Sequence, residues 1–160
     1  MRRALLLGML LAAGCLPSSY RQARKLEGRY DLPGPGAGWT VVKPGGADHA
    51  WYNDELAATI YADSNCGPRY QELAIENLSA ELFGGLRDVT DRKEERREVG
   101  GREGLLRIVY GKLDGIEMVI AALTVNRDAC TYDLTYLAPP AGFDAGFPAY
   151  ERVLAGFAPR

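Results

Sequence analysis

The chain has 160 residues, of which 47% are hydrophobic and 25% are charged, and its net charge at pH 7 is −2. This length is enough for one domain that buries its own core. The slightly acidic balance provides no basic face of the kind that nucleic acids require. We therefore expect a single globular domain with no nucleic-acid partner.

The first fourteen residues have the organisation of an export signal. Arg2 and Arg3 precede an apolar run at residues 4–13, and residues 12–14 are small enough for a signal peptidase. As a helix the run would be about 15 Å long, half of a bilayer core of about 30 Å, and hence a poor permanent anchor. We expect residues 1–14 to be a signal peptide.

Cys15 follows directly, in the sequence LAAGC, which resembles the lipobox of bacterial lipoproteins. The resemblance implies cleavage before Cys15 and a lipid on its thiol, anchoring the protein to a membrane on the periplasmic side. The family usually has Leu, Val or Ile where Ala12 stands, so a plain secreted protein is the alternative. Leu16 after the cysteine, instead of aspartate, favours the outer over the inner membrane by the enterobacterial sorting rule.

Residues 15–37 are predicted to form the lipidated cysteine and a flexible tether, because PSS and LPGPGAG deny the segment regular structure. Its charge is net positive. We favour a solvated spacer; weak attraction to anionic headgroups is the alternative. The folded domain is then expected at residues 38–160.

Cys66 and Cys130 are the two other cysteines. An exported chain meets an oxidising compartment, and two thiols allow only one pairing. A bond between them would close a loop of about 65 residues and add ~4 kcal/mol of stability. The alternative is a pair of buried free thiols.

Three short strands are predicted first, at residues 39–42, 50–53 and 57–62. A helix should follow from Pro68 to Leu86, because apolar residues recur there at three- and four-residue spacing. The charged run at residues 88–98, DVTDRKEERRE, is typical of an exposed loop or edge strand, with a docking patch as the alternative.

The clearest β region comes next. GLLRIVYGKL and IEMVIAALTV flank Asp114-Gly115, a hairpin turn signature, and NRDA forms a second turn before CTYDLTYLAP. The first two strands are apolar on both sides, which predicts that both faces of the sheet are covered. In the third strand, CTYDLTYLAP, alternate residues starting from Cys130 are predicted to share one face of the sheet.

A helix closes the chain, with its regular part expected to start near Phe147 because Pro148 suits only a first turn. Its apolar stripe is predicted to pack on the sheet; it contains Phe143, Phe147, Tyr150, Val153, Leu154 and Phe157. The order of elements indicates an α+β fold: a twisted antiparallel sheet flanked by an amphipathic middle helix and a C-terminal helix.

Three short motifs carry a family resemblance: G-R-E-x-L at Gly101 to Leu105, L-D-G at Leu113 to Gly115 and C-x-Y-D-L at Cys130 to Leu134. With the order of elements, they resemble a group of uncharacterised bacterial lipoproteins whose fold is similar to PsbP of photosystem II. The resemblance implies a PsbP-like fold over roughly residues 38–157. Some of these lipoproteins occur beside envelope transporter components. Such folds share no common chemical site.

The sequence offers little catalytic chemistry. His49 is the single histidine, and no serine lies in G-x-S-x-G. His49 is expected to be a surface residue, and we expect no cofactor and no metal. Asp133 is the carboxylate of interest, since a buried carboxylate needs a partner or a shifted pKa. An ion pair or a backbone-bonded aspartate is favoured there over the polar floor of a cleft.

These observations favour a non-enzymatic, membrane-anchored accessory lipoprotein of the bacterial envelope. It would act by protein binding, with an envelope transporter component as one candidate partner. The alternative is a periplasmic module that binds lipid or a small molecule in an apolar cleft beside the sheet. A carboxylate-based hydrolase is a third hypothesis, and nothing in the sequence supports it.

Overall fold

The structure, a computed structural model, describes residues 28–43 and 45–160. The predicted signal peptide, Cys15 and the predicted tether as far as residue 27 lie outside the described residues. The helices are α1 (Arg69–Glu72), α2 (Ile75–Glu81) and α3 (Pro140–Gly156). The strands are β1 (Tyr30–Asp31), β2 (Thr40–Val41), β3 (His49–Asn53), β4 (Ala58–Cys66), β5 (Arg87–Val99), β6 (Arg102–Leu113), β7 (Ile116–Arg127), β8 (Cys130–Ala138) and β9 (Ala158–Pro159).

Seven strands form one antiparallel sheet in the order β2-β3-β4-β8-β7-β6-β5. Two-residue turns join β6 to β7 and β7 to β8, and all four turn residues have positive φ, as the primed hairpin turns require. The expected turn at Asp114-Gly115 is thus confirmed. The middle of β7 is buried on both faces, also as expected. The predicted α+β class is confirmed.

Helix α3 covers one face of the sheet, which we call the α3 face. Its predicted stripe is buried there, with Phe147 half-buried and Tyr150 fully enclosed. The helix begins at Pro140, one turn and more before the predicted start at Phe147. The prediction was wrong because Pro148 lies on the exposed side of α3, where the missing backbone hydrogen bond can be replaced by water.

The opposite face carries α1 and α2 in place of the single predicted helix from Pro68 to Leu86. The chain is extended at Leu73 and Ala74, with ψ of 134° and 143°, and this separates the two short helices. A small apolar cluster lies beneath them; it contains Phe83, Val109, Met118, Ile120 and Ala122. The spacing predicted the apolar face correctly and the continuity of the helix wrongly.

The charged run is the edge strand β5, mostly exposed and paired with β6 along its length. The edge-strand interpretation is therefore confirmed, and this segment is a strand of the sheet, not a connection. Arg97 of β5 donates to Glu151 of α3 at 2.8 and 2.9 Å. Mixed charges on a long edge discourage the addition of a further β-strand from another chain.

Residues 28–37 belong to the folded domain, so the predicted domain start at residue 38 is too late. Tyr30–Asp31 pairs with β9, and the Arg152 guanidinium donates to the Pro35 carbonyl at 2.8 Å. The ring of Tyr30 packs against Phe157 at 5.7 Å between centroids. Proline and glycine limit regular structure in this segment to the two residues of β1, but they do not prevent it from packing on the core.

Cys66 and Cys130 form a disulfide, which confirms the predicted pair. The two residues lie directly opposite each other in the β4–β8 ladder, with their Cα atoms 4.0 Å apart. The bond closes the end of the sheet at which β4 leads to α1. Within the described part of the chain, no helix has the length and apolar character needed to span a bilayer.

Candidate functional site

Polar residues of β4 and β8 form a patch on the face opposite α3. Alternation along each strand sends Ile60, Ala62 and Leu134 towards α3 and their neighbours to the other side. The register then sets these polar residues opposite one another in three cross-strand pairs: Tyr61 with Thr135, Asp63 with Asp133, and Asn65 with Thr131.

Helices α1 and α2 cover this patch and leave a cleft of about 320 Å³ between helices and sheet. The helical side contributes an aromatic ring, two aliphatic side chains and one carboxylate. The cleft is lined by Tyr61, Asp63, Asn65, Tyr70, Leu78, Glu81, Leu82, Thr131 and Asp133.

Asp133 forms the floor of the cleft and is only 7% exposed. Its Oδ1 accepts a hydrogen bond of 2.9 Å from the Thr124 hydroxyl of β7. The pKa of Asp133 is raised from 3.8 to about 7, chiefly by burial and also by the negative charges of Asp63 and Glu81, against the lowering effect of the Thr124 hydrogen bond. Of the interpretations offered by the sequence, the polar floor of a cleft is the observed one.

The second carboxylate oxygen of Asp133 has a different environment. Among residues 28–43 and 45–160, no donor forms a hydrogen bond with Oδ2, and the Thr124 hydroxyl is bonded to Oδ1. The Thr131 hydroxyl next along β8 is buried and also has no partner within these residues. The floor of the cleft therefore holds polar atoms whose hydrogen-bonding capacity is not used by the described protein atoms.

The other two carboxylates of the cleft have partners. Asp63 accepts a hydrogen bond of 3.1 Å from the Asn65 amide. Glu81 pairs with Arg69 at 2.9 Å at the rim, where both side chains are 58% exposed. The Arg69 guanidinium also lies 4.9 Å from the centre of the Tyr70 ring. The cleft thus combines a closed acidic floor with an open, charge-paired rim.

Tyr61 completes the β4 wall of the cleft. Burial raises the pKa of its phenol above the usual 10.0, and the charges of Asp133 and Asp63 act in the same direction. The phenol therefore stays neutral at any physiological pH. Within the part of the chain that the structure describes, no group of three His, Cys, Asp or Glu residues is arranged to hold a metal ion.

His49 lies at the exposed start of β3, where it pairs with Ala62 of β4 on the α3 side of the sheet, the face opposite to that of Asp133. Its ring stacks on Trp51 at 5.9 Å and meets the edge of Tyr30 at 5.7 Å. A broad depression of about 550 Å³ surrounds it; there Arg160 pairs with Asp31, and Asp48 accepts hydrogen bonds from the hydroxyls of Tyr30 and Ser64. His49 is a surface residue, as expected.

Sequence reasoning singled out Asp133 and missed the residues that surround it. A signal was present in β4, where Tyr61, Asp63 and Asn65 alternate with Ile60 and Ala62. Alternation alone could not show that these polar positions meet those of β8 beneath a helix. The disulfide lies at the end of the same two strands, one residue beyond the Asn65–Thr131 pair.

Neither a protein-family model nor a curated protein matches this chain by sequence. Solved structures do match its fold. LpqN of Mycobacterium tuberculosis, described as involved in cell envelope biogenesis, matches with a TM-score of 0.64 and 15% identity over 82% of this chain and 84% of its own. A Pseudomonas aeruginosa protein of unknown function matches with a TM-score of 0.56 and 13% identity, covering 86% and 88% of the two chains.

The cyanobacterial PsbP of Synechocystis also matches, with a TM-score of 0.54 and 10% identity over 96% of this chain and 99% of its own. The PsbP-like fold expected from the sequence motifs is therefore confirmed. At these identities the similarity establishes the fold and says nothing about shared chemistry.

Proposed function

We propose that this protein is a membrane-anchored accessory lipoprotein of the bacterial cell envelope that acts by binding and not by catalysis. Its PsbP-like domain would be held at the membrane, facing the periplasm, by a lipid on Cys15. The candidate partner is a protein of the envelope, with a transporter component first among the proteins to be tested.

The Cys66–Cys130 disulfide is the observation that carries this proposal. Such bonds persist in oxidising compartments and are rare in the cytosol. The charged and apolar start of the chain would direct export across the membrane, and the cysteine of LAAGC would be the attachment point of the lipid. The involvement of LpqN in cell envelope biogenesis adds support from a protein of the same fold.

A binding role agrees with the residues of the cleft. The lining combines charged and polar groups with the apolar side chains of Leu78 and Leu82, a combination that is typical of ligand-binding sites. The long edge strand β5 has side chains of both signs, such as Lys93 and Glu94, which suit polar contacts with a partner surface.

The anchor is tested by fractionating cells that express wild type or Cys15→Ser. We expect wild type in the membrane fraction and the variant in the soluble periplasm. The double variant Cys66→Ser/Cys130→Ser is the matched control, because it also replaces cysteines by serines and should remain at the membrane. If Cys15→Ser sediments with membranes as wild type does, the anchor is refuted.

The partner is tested by chemical crosslinking in intact cells, followed by solubilisation and mass spectrometry of the crosslinked products. We expect a transporter component to be crosslinked to wild type and to be lost in Cys15→Ser. If products of wild type contain no envelope protein beyond those found with a lipidated control domain, accessory binding is refuted.

A small-molecule-binding module is the second candidate function, and the cleft favours it. A cavity of about 320 Å³ with an acidic floor and an aliphatic wall is a built site on the face opposite α3. Its size is at the lower end of small-molecule sites, which occupy roughly 300–1,000 Å³.

A further inference from the structure

We propose that the cleft between β4, β8 and the α1–α2 segment binds an alkylammonium group, with Asp133 as its anchor. The inference rests on the binding role proposed above and is independent of the lipid on Cys15. The charged head would contact the carboxylate floor, and the hydrocarbon part would lie against Leu78 and Leu82.

Charge is the first argument. Three of the nine lining residues are carboxylates, and the lining includes no lysine, arginine or histidine among the described residues. Asp63 and Asp133 lie directly opposite each other on neighbouring strands, an arrangement that costs stability when both are charged. A cation beside Asp133 would stabilise the charged form of Asp133, whereas an anion would add to the repulsion.

Hydrogen-bonding capacity is the second argument. Asp133 is nine-tenths buried, and its Oδ2 has no donor among the described residues, while Oδ1 is occupied by Thr124. The Thr131 hydroxyl beside it is buried and also unpaired within the described chain. An ammonium group brings three donors and no acceptor, which matches an acceptor-only carboxylate and a free hydroxyl oxygen.

The walls are the third argument. Tyr61 and Tyr70 supply aromatic rings of the kind that attract organic cations, and Leu78 and Leu82 supply apolar surface for a short chain. A bare metal ion would gain nothing from these walls, and the described residues offer no cluster of three metal ligands. The size of the cleft, about 320 Å³, suits an amine of a few carbon atoms.

An alkylammonium group can come from a free amine or from a lysine side chain of a partner protein. The test therefore uses two probes, 1-aminopentane and lysine blocked at both ends (N-acetyl-lysine N-methylamide). Pentan-1-ol and pentanoate serve as neutral and anionic controls of the same length. The full chain is titrated with each by calorimetry at pH 8.

We expect 1-aminopentane to bind at one saturable site at least tenfold more tightly than pentan-1-ol, and pentanoate to show no binding. Asp133→Asn should weaken amine binding at least tenfold. Asp114→Asn is the matched control, since it removes an exposed carboxylate from the β6–β7 turn and should leave binding unchanged. Tighter binding of the blocked lysine than of 1-aminopentane would identify a partner's lysine as the source; the reverse would identify a free amine.

The proposal is overturned if no amine binds, if pentan-1-ol binds equally well, or if Asp133→Asn binds as wild type does. It is also overturned if calcium displaces the amine at equal concentration, since the cleft would then be a metal site. A melting curve must first show that Asp133→Asn is folded; Glu81→Gln, at the exposed rim, provides a second variant that should weaken binding. Failure here leaves the anchor and crosslinking results intact, so the two proposals can fail separately.

Amine binding should also depend on pH. The groups facing Asp133 are Asp63 and Tyr61 from β4, Thr124 from β7, Tyr70 from α1 and Glu81 from α2. Because burial raises the pKa of Asp133 to about 7, the anchor is protonated in mildly acidic buffer. Affinity for 1-aminopentane should rise at least threefold from pH 6 to pH 8; equal affinity at both pH values would contradict the assignment of Asp133 as anchor.

Discussion

The two faces of the sheet differ in what they bury. The α3 face is a continuous apolar cluster in which Tyr136, Tyr150 and Phe157 are almost fully enclosed. The opposite face has a smaller apolar cluster around Phe83 and, next to it, a cleft whose floor is a buried carboxylate. Both faces belong to the same strands, so the difference lies in which alternate residues each strand presents.

The comparison indicates that one face mainly provides stability and that the other provides a binding site. Helix α3 packs so closely on the sheet that a Cβ at Gly146 would collide with the Tyr136 hydroxyl oxygen. The cleft keeps the buried carboxylate of Asp133 and a Thr131 hydroxyl without a described partner, and such groups reduce stability unless something compensates them. Sites that cost stability are typical of binding and catalysis. We therefore expect stability to depend on the α3 face and ligand binding on the cleft.

The largest expected effect is that of removing the Cys66–Cys130 disulfide, which joins β4 and β8 at one end of the cleft. Cys66→Ser/Cys130→Ser should lower the free energy of unfolding by about 4 kcal/mol, because the disulfide restricts a long loop of the unfolded chain. Urea denaturation measures the change. Dithiothreitol should destabilise wild type by the same amount and leave the double variant unaffected; equal stability of the two proteins would show that the cleft strands need no covalent support.

Asp133 should make stability depend on pH. Its folded-state pKa is about 7 against 3.8 for the unpaired group, so the fold favours the protonated form. The resulting stability is fully present below pH 3.8 and is lost as pH rises through 7. The total is about 4 kcal/mol. Asp133→Asn should remove this dependence and be the more stable protein at pH 8.

The measurement is urea denaturation of both proteins between pH 4 and pH 8, with Asp114→Asn as the control for an exposed carboxylate. The groups facing Asp133, namely Asp63, Glu81, Tyr61, Tyr70 and Thr124, are the same in all three proteins. Parallel pH curves for wild type and Asp133→Asn would mean that the carboxylate is compensated in the folded state, contrary to the proposed open floor.

A matched pair of leucines compares the two faces directly. Leu154 of α3 is 2% exposed, and Leu154→Ala should cost about 2–5 kcal/mol through lost burial and a residual cavity. Leu82 is half-buried at the cleft, and Leu82→Ala should cost less than about 2 kcal/mol because the site is already open. Thermal melts provide the comparison, and equal losses would contradict the division between faces.

A smaller effect than that of Leu154→Ala is expected from the loss of a single hydroxyl on the α3 face. Tyr150 Oη accepts from the Leu123 amide at 3.0 Å and donates to the Leu134 carbonyl at 2.7 Å, and so bridges β7 and β8. Tyr150→Phe should cost about 1–3 kcal/mol by leaving these buried groups without a partner. Faster exchange of the Leu123 amide would locate the loss, and unchanged exchange would show that the bridge is dispensable.

The sequence alone was sufficient wherever the signal is local. The Asp114-Gly115 turn needs positive φ at adjacent residues, and the alternation after Cys130 needs only a strand with two faces. The two cysteines allowed one pairing. Local signals also explain the errors. Pro148 indicates a helix boundary unless the exposure of that position is known. Residues 28–37 are typical of a tether unless their contacts with β9 and α3 are known.

The cleft itself was decided by tertiary structure. Asp133 and Asp63 are 70 positions apart in the sequence and become neighbours only through the β4–β8 register. The roof from α1 and α2 then removes water from the carboxylate and raises its pKa. Residue type and spacing determine which side chains share a face of one strand, but pairing between distant strands determines which faces meet. The local sequence thus determined which side chains share a face of each strand, and the long-range pairing of β4 with β8 created the acidic site.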